Sequence, residues 1–184
     1  MSAGAMWLEP RARMSGVVYF LYLAAMELAM TSVGRLPAAY KGALLMVNVF
    51  YLILALLFYG LFRPVSKWLS LVAAVCGVAG CTIGALQYLH VATRLKSVPF
   101  VATFILLVGF LIVRSTFLPR ILGWLMVLNG VGWMVYLLPS GPRFVYADMF
   151  WFSFAVEALL MLWLLVRGVN ITRWRQQAGA ARVA

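Results

Sequence analysis

The run ALLMVNVFYLILALLFYGLF, residues 43–62, decides the fold. It carries no charge, one amide (Asn48) and no proline. Its length matches the roughly 20 residues that an α-helix needs to cross about 30 Å of hydrocarbon at 1.5 Å per residue. A soluble domain of ordinary composition has no means of hiding such a helix on all its faces. Lipid, not water, is therefore the solvent that this stretch predicts.

Working outward, five more apolar runs flank it, at 15–34, 69–92, 98–114, 121–139 and 144–168. The fourth in chain order, 98–114, is short for a span. The runs are separated by brief punctuated turns holding Gly34 and Pro37, Pro64, Pro99, Pro119, and then Pro139, Gly141 and Pro142. No linker is long enough to divide the chain, so residues 1–184 read as a single transmembrane helical-bundle domain. The expected fold is all-α and integral to the membrane, with about six spans and a polar tail at 169–184. The composition agrees: 66% of the 184 residues are hydrophobic and 10% charged, with mean hydropathy +1.02. Typical soluble chains have about 25% charged residues. The first run is long and contains Glu27, so it reads as a retained helix, not a cleaved signal peptide.

The net charge of +11 excludes less than it suggests. The basic residues form no nucleic-acid patch; they stand in ones and twos between the apolar runs. With the N-terminus in the cytoplasm, the inner segments hold Arg11, Arg13, Arg63, Lys67, Arg114, Arg120, Arg167, Arg173, Arg175 and Arg182. The outer ones hold Arg35, Lys41, Arg94, Lys96 and Arg143. The excess predicts both termini inside, because Lys and Arg favour the cytoplasmic side. The tail reads as a frayed, polar cytoplasmic extension. Cys76 and Cys81 sit about 140° apart around one helix, which is neither disulfide nor metal-ligand spacing. They read as small hydrophobes.

Two segments share a pattern: LFYGLFRPVSKWLSLVAAVCGVAG at 57–80 and FLIVRSTFLPRILGWLMVLNGVGW at 110–133. Each runs from an apolar helix through Arg, a proline turn, a second base and Trp into a glycine-rich helix. This reads either as a repeated helical hairpin or as two hairpins alike only in their basic turns.

Three stretches carry a resemblance to a known family: RPVSKWLSL at 63–71, RSTFLPRILG at 114–123 and EALLMLWLLVRGVN at 157–170. On these the chain resembles a family of bacterial multi-pass membrane proteins classed as a domain of unknown function, number four-three-eight-six. The resemblance implies about six helices and a bacterial plasma membrane. It brings no activity and no site residue.

Candidate site residues are the polar groups within the spans, since such groups are costly in lipid and tend to serve function. Glu27, Asp148 and Glu157 are the acids; His90, Gln87, Asn48 and Asn129 are the neutral candidates. A mid-span acid costs about 2.5–3.5 kcal/mol, and each Leu-class residue returns only about 0.3–0.6. Glu27 is therefore expected to face the bundle interior. Depth along the helices predicts two layers. In the outer layer His90 pairs with Asp148 or Glu27, near Gln87 and Asn48. In the inner layer Glu157 pairs with Asn129. Asp148 and Glu157, nine residues apart, point to opposite faces of one helix. The plainer readings are interhelical glue for the three amides, an interfacial position for His90 and a solvated helix start for Asp148. One histidine excludes bis-His haem, and the spacing signals no metal or cofactor. Ala73, Gly77, Gly80, Gly84 and Gln87 form a stripe that admits a close helix neighbour. Trp7, Trp68, Trp124, Trp163 and Trp174, with Tyr136 and Tyr146, read as anchors at the two membrane interfaces. Asn48, Tyr51 and Tyr59 share a face of the second helix.

These residues support three readings of function. One is binding or transport of a small or amphipathic solute, a lipid or hydrophobic ligand included, in a cavity lined by buried acids. Another is an intramembrane enzyme acting on a lipid or isoprenoid, with a buried Glu as general acid. The third is a non-catalytic subunit or regulator that joins another membrane chain or a second copy of itself. The sequence does not decide whether the protein is an enzyme.

Overall fold

The computed structural model describes residues 8–89, 95–137 and 145–183. Among them are seven helices and no strand: α1 Leu8–Ser32, α2 Pro37–Phe62, α3 Lys67–Tyr88, α4 Val98–Arg114, α5 Arg120–Tyr136, α6 Val145–Val166 and α7 Ile171–Val183. Local chemistry sets several of these limits. Gly34 at φ +70° turns the chain after α1, and Pro37 opens α2, where its missing N–H costs nothing. The Ser66 hydroxyl caps α3 by accepting from the Leu69 amide at 3.4 Å. Gly168 at φ +63° ends α6 in the left-handed conformation that glycine adopts without strain.

Four stretches are long and apolar enough to cross a bilayer: Ala12–Ser32, Pro37–Phe62, Lys67–Tyr88 and Asp148–Val166. Helices α4 and α5 are apolar but have only 17 residues each. At 1.5 Å per residue they rise about 25 Å, somewhat less than the hydrocarbon thickness. The shortness foreseen for the fourth run is thus shared by the fifth.

The first six helices close into a ring in chain order. Each packs on the next, and α1 returns to α6; α2 also touches α4 across the middle. Small residues permit the closest approaches. A Cβ at Gly109 or Gly130 would lie 2.6 Å from the backbone N of Val127 or Leu106, and one at Gly123 2.6 Å from that of Val113. Glycine is therefore obligatory along the α4–α5 seam. The expected α3 stripe also meets its neighbours: Gly77 faces Ala55 and Phe104, Gly80 faces Val101, and Gly84 faces Asn48. Gly16 lets α1 lie against Leu165 of α6 and so closes the ring.

The interior differs between the two ends. At the end holding the α2–α3 and α4–α5 turns, here the tail end, it is filled. Leu54, Val108, Leu111, Ile112, Met126, Leu160 and Leu164 are fully buried there. A continuous aromatic column leads into it, from Tyr22 to Tyr51 nearer the other end (ring centroids 5.0 Å), then Phe104 (5.3 Å), Phe58 (6.5 Å), Phe62 (5.7 Å) and Phe117 (6.0 Å). Such ring pairs add to the area they bury. The contact of Phe62 with Phe117 also places both hairpin turns at the same end.

The tail is not frayed, contrary to the sequence expectation. Residues 171–183 form α7, tied across the turns at the tail end. Asn170 explains its start: the Oδ1 accepts from the Arg173 amide at 3.1 Å. The Gln177 Oε1 accepts from both the amide and the hydroxyl of Thr116 at 3.1 Å, and the Trp174 indole donates to the Leu61 carbonyl at 2.9 Å. Trp174, expected as an interface anchor, is thus a docking residue. Trp68 and Trp124 are exposed at the tail end, as anchors are.

Candidate functional site

At the opposite end the six helices part around a cavity of about 280 Å³. Every helix of the ring lines it. Its rim includes Met30, Tyr40, Tyr88, Ser97 and Val98; deeper walls include Tyr22, Met26, Asn48, Tyr51, Cys81, Trp133, Phe150 and Phe154. Ser153 and Glu157 of α6 also line it. Glu157 lies twelve residues beyond the start of α6, a depth of about 18 Å. It marks the floor, above the packed aromatic column.

A polar network is built around that carboxyl. The Ser153 hydroxyl donates to Glu157 Oε1 at 3.1 Å. Ser153 Oγ in turn accepts from Asn129 Nδ2 at 3.0 Å and from the Trp133 indole at 3.2 Å. One turn of helix separates Ser153 from Glu157, so both face the interior together. The phenols of Tyr19 and Tyr22 also stand close to the carboxyl. None of these groups reaches Glu157 Oε2 in hydrogen-bonding geometry, and Asn129 Oδ1 is likewise without a partner, although both atoms are buried. Two orphaned acceptors within one buried cluster are unusual, since buried polar atoms nearly always find partners.

The sequence expectations meet this geometry unevenly. The inner pairing of Glu157 with Asn129 exists, but through Ser153, a residue the sequence reading passed over. Ser153 sits four residues before Glu157 on the same helix face, and that spacing was the available signal. The outer layer was expected around His90, which lies outside the described residues; among the described residues its other members do not meet. Glu27 is exposed on the outside of α1, not turned inward. The inward stripe of α1 runs through Ser15, Tyr19, Tyr22 and Ala29, and at about 100° per residue Glu27 falls roughly a third of a turn from its centre. Asp148 is exposed in the first turn of α6, and Glu157 is buried, so the two do occupy opposite faces. Gln87 is exposed and joins α3 to the start of α4: its amide donates to the Leu95 carbonyl at 2.9 Å and its Oε1 accepts from Ser97 at 3.3 Å. Asn48 lines the cavity while its amide donates to the Leu44 carbonyl at 2.8 Å. His90 lies outside the described residues, as do Trp7 and the side chains of Tyr136 and Tyr146. Tyr51 lines the cavity and Tyr59 does not. Cys81 is in the cavity wall and Cys76 is not; both are free thiols.

Comparisons with known protein families, with curated proteins and with solved structures found no match.

Proposed function

We propose that the chain is a membrane protein that binds, and in a fuller cycle transports, a small or amphipathic solute in the cavity above Glu157. The observation that carries this reading is a cavity walled by all six ring helices and floored by a buried carboxyl with an oxygen left over. A volume of about 280 Å³ lies just below the roughly 300–1,000 Å³ usual for ligand sites, which suits a small solute. The cavity is blind: the aromatic column closes it toward the tail end. Passage of a solute requires that column to part, as alternating access demands of any transporter.

On this reading α4 and α5 cross the membrane with the other four helices, giving six spans, and both termini lie in the cytoplasm. Ring packing supports the count, because α4 and α5 lie between α3 and α6. The exposed bases Arg63, Lys67, Arg114, Arg120, Arg167, Arg173 and Arg175 at the tail end support the orientation. The cavity then opens to the outer face of a bacterial plasma membrane. We also propose kinship with the multi-pass family that the chain resembles. Its three signature stretches meet at the tail end: Asn170 donates to the Phe117 carbonyl at 3.3 Å, and Phe117 stacks on Phe62 beside Arg63.

The test is saturable binding by purified protein in zwitterionic lipid nanodiscs. The neutral probe 2-naphthylmethanol should bind the wild type saturably. Val98→Trp, which narrows the rim from the first turn of α4, should weaken that binding at least tenfold. Equal binding by both proteins would place the probe in lipid and remove the reading.

A further inference from the structure

We infer that the solute enters with a protonated amine, and that Glu157 is its receptor. This inference rests on the cavity being the binding site and names the ligand class that it takes.

The floor is specific about what it lacks. Both orphaned atoms are acceptors: Glu157 Oε2, on a residue that lines the cavity, and Asn129 Oδ1, in the buried cluster joined to it through Ser153. Three donors of the cluster are engaged away from these atoms: Asn129 Nδ2 and the Trp133 indole both give to Ser153 Oγ, and the Ser153 proton goes to Glu157 Oε1; the Tyr19 and Tyr22 phenols stand near the carboxyl without meeting Oε2. A group that completes the site must bring donors and need bring no acceptor. A primary ammonium has three donors and no acceptor, which matches. A carboxylate or phosphate brings acceptors and a negative charge to an acceptor that lacks a donor, with no Lys or Arg among the described lining residues to balance it. A hydroxyl supplies one donor and no positive charge.

Charge and wall chemistry agree. Among the described lining residues there is no Lys or Arg, and Glu157 is the one acid. The walls carry Tyr22, Tyr40, Tyr51, Tyr88, Trp133, Phe150 and Phe154. Rings around a path to a carboxyl attract cations through their faces and accept an apolar body beside it. In a site shielded from water, a charged group is tolerated only with a partner of opposite sign. The geometry therefore selects an organic amine with a compact apolar or aromatic body. It discriminates against the alcohol of the same shape and more strongly against the acid.

The experiment compares three probes that share a body: 2-naphthylmethylamine, 2-naphthylmethanol and 2-naphthoate. Each is titrated against the full-length protein in nanodiscs of zwitterionic lipid at neutral pH. The amine should bind at least tenfold tighter than the alcohol, with the acid weakest. Glu157→Gln should bring the amine down to the alcohol's affinity while leaving the alcohol unchanged. Val98→Trp should weaken amine and alcohol alike, and it keeps the test decisive if Glu157→Gln does not fold. Amine and alcohol binding equally, both blocked by Val98→Trp, would overturn the amine assignment and leave the cavity reading standing. An amine preference that survives Glu157→Gln would also overturn the assignment. If no probe binds saturably, the cavity reading fails and the amine assignment fails with it.

Discussion

Three acids were candidates at the residue scale, and their fates separate cost from use. Glu157 has a network; Glu27 and Asp148 have exposure. The sequence makes all three equally visible, because insertion cost depends on depth and not on which way a helix is rotated. Rotation is set by neighbours: α1 turns Tyr19 and Tyr22 inward toward the aromatic column, and Glu27 follows to the flank. Replacing Glu27 with Leu should therefore leave stability at or above that of the wild type, as read by unfolding in mixed detergent micelles. Ser153→Ala should do the opposite. It removes the shared partner of Asn129, Trp133 and Glu157 and should cost about 1–3 kcal/mol in the same assay. If the two variants unfold alike, the buried network is not what distinguishes these positions.

Elements were legible where hydrophobic length alone specifies them. The six apolar runs correspond to six helices: 98–114 coincides with α4, and the others differ at one or both ends, by up to seven residues at the start of α1. The seventh helix was not foreseen, because 171–183 is polar and gains its order from contacts distant in sequence, Thr116 and Leu61 above all. Trp174→Phe keeps the ring but deletes its donated bond to Leu61. It should cost about 0.5–1.5 kcal/mol and speed amide exchange in α7. The glycines divide in a way that the sequence does not show. Gly123→Ala places a Cβ 2.6 Å from the Val113 backbone N, an overpacking that should cost about 1–3 kcal/mol. A Cβ at Gly60 meets nothing within 4 Å. Gly60→Ala should then stabilise α2 by about 0.5–1 kcal/mol through helix propensity. Thermal unfolding of the pair checks both signs at once.

For the whole molecule, parity gives the sharpest prediction. Six ring helices bring the start of α1 and the end of α6 to one end, and α7 stays there. In a cysteine-substituted series lacking Cys76 and Cys81, an impermeant maleimide applied outside intact cells should label Lys41→Cys and Lys96→Cys. It should spare Lys67→Cys and Arg175→Cys. Labelling of Lys41 and Arg175 from the same side would break the six-span topology. Side-chain packing leaves one end of the ring filled and the other open.

Ring closure also fixes when this fold can exist. Gly16 of α1 meets Leu165 of α6, so the first span waits for the last. At about 5–20 residues synthesised per second, α1 precedes the start of α6 by roughly 6–23 s. During that interval the inward face of α1, with Tyr19 and Tyr22, has only α2 beside it. A nascent chain stalled before residue 145 is accordingly an open arc, with its tyrosine face available to insertion chaperones. The ring closes only on delivery of α6, where Gly16 meets Leu165.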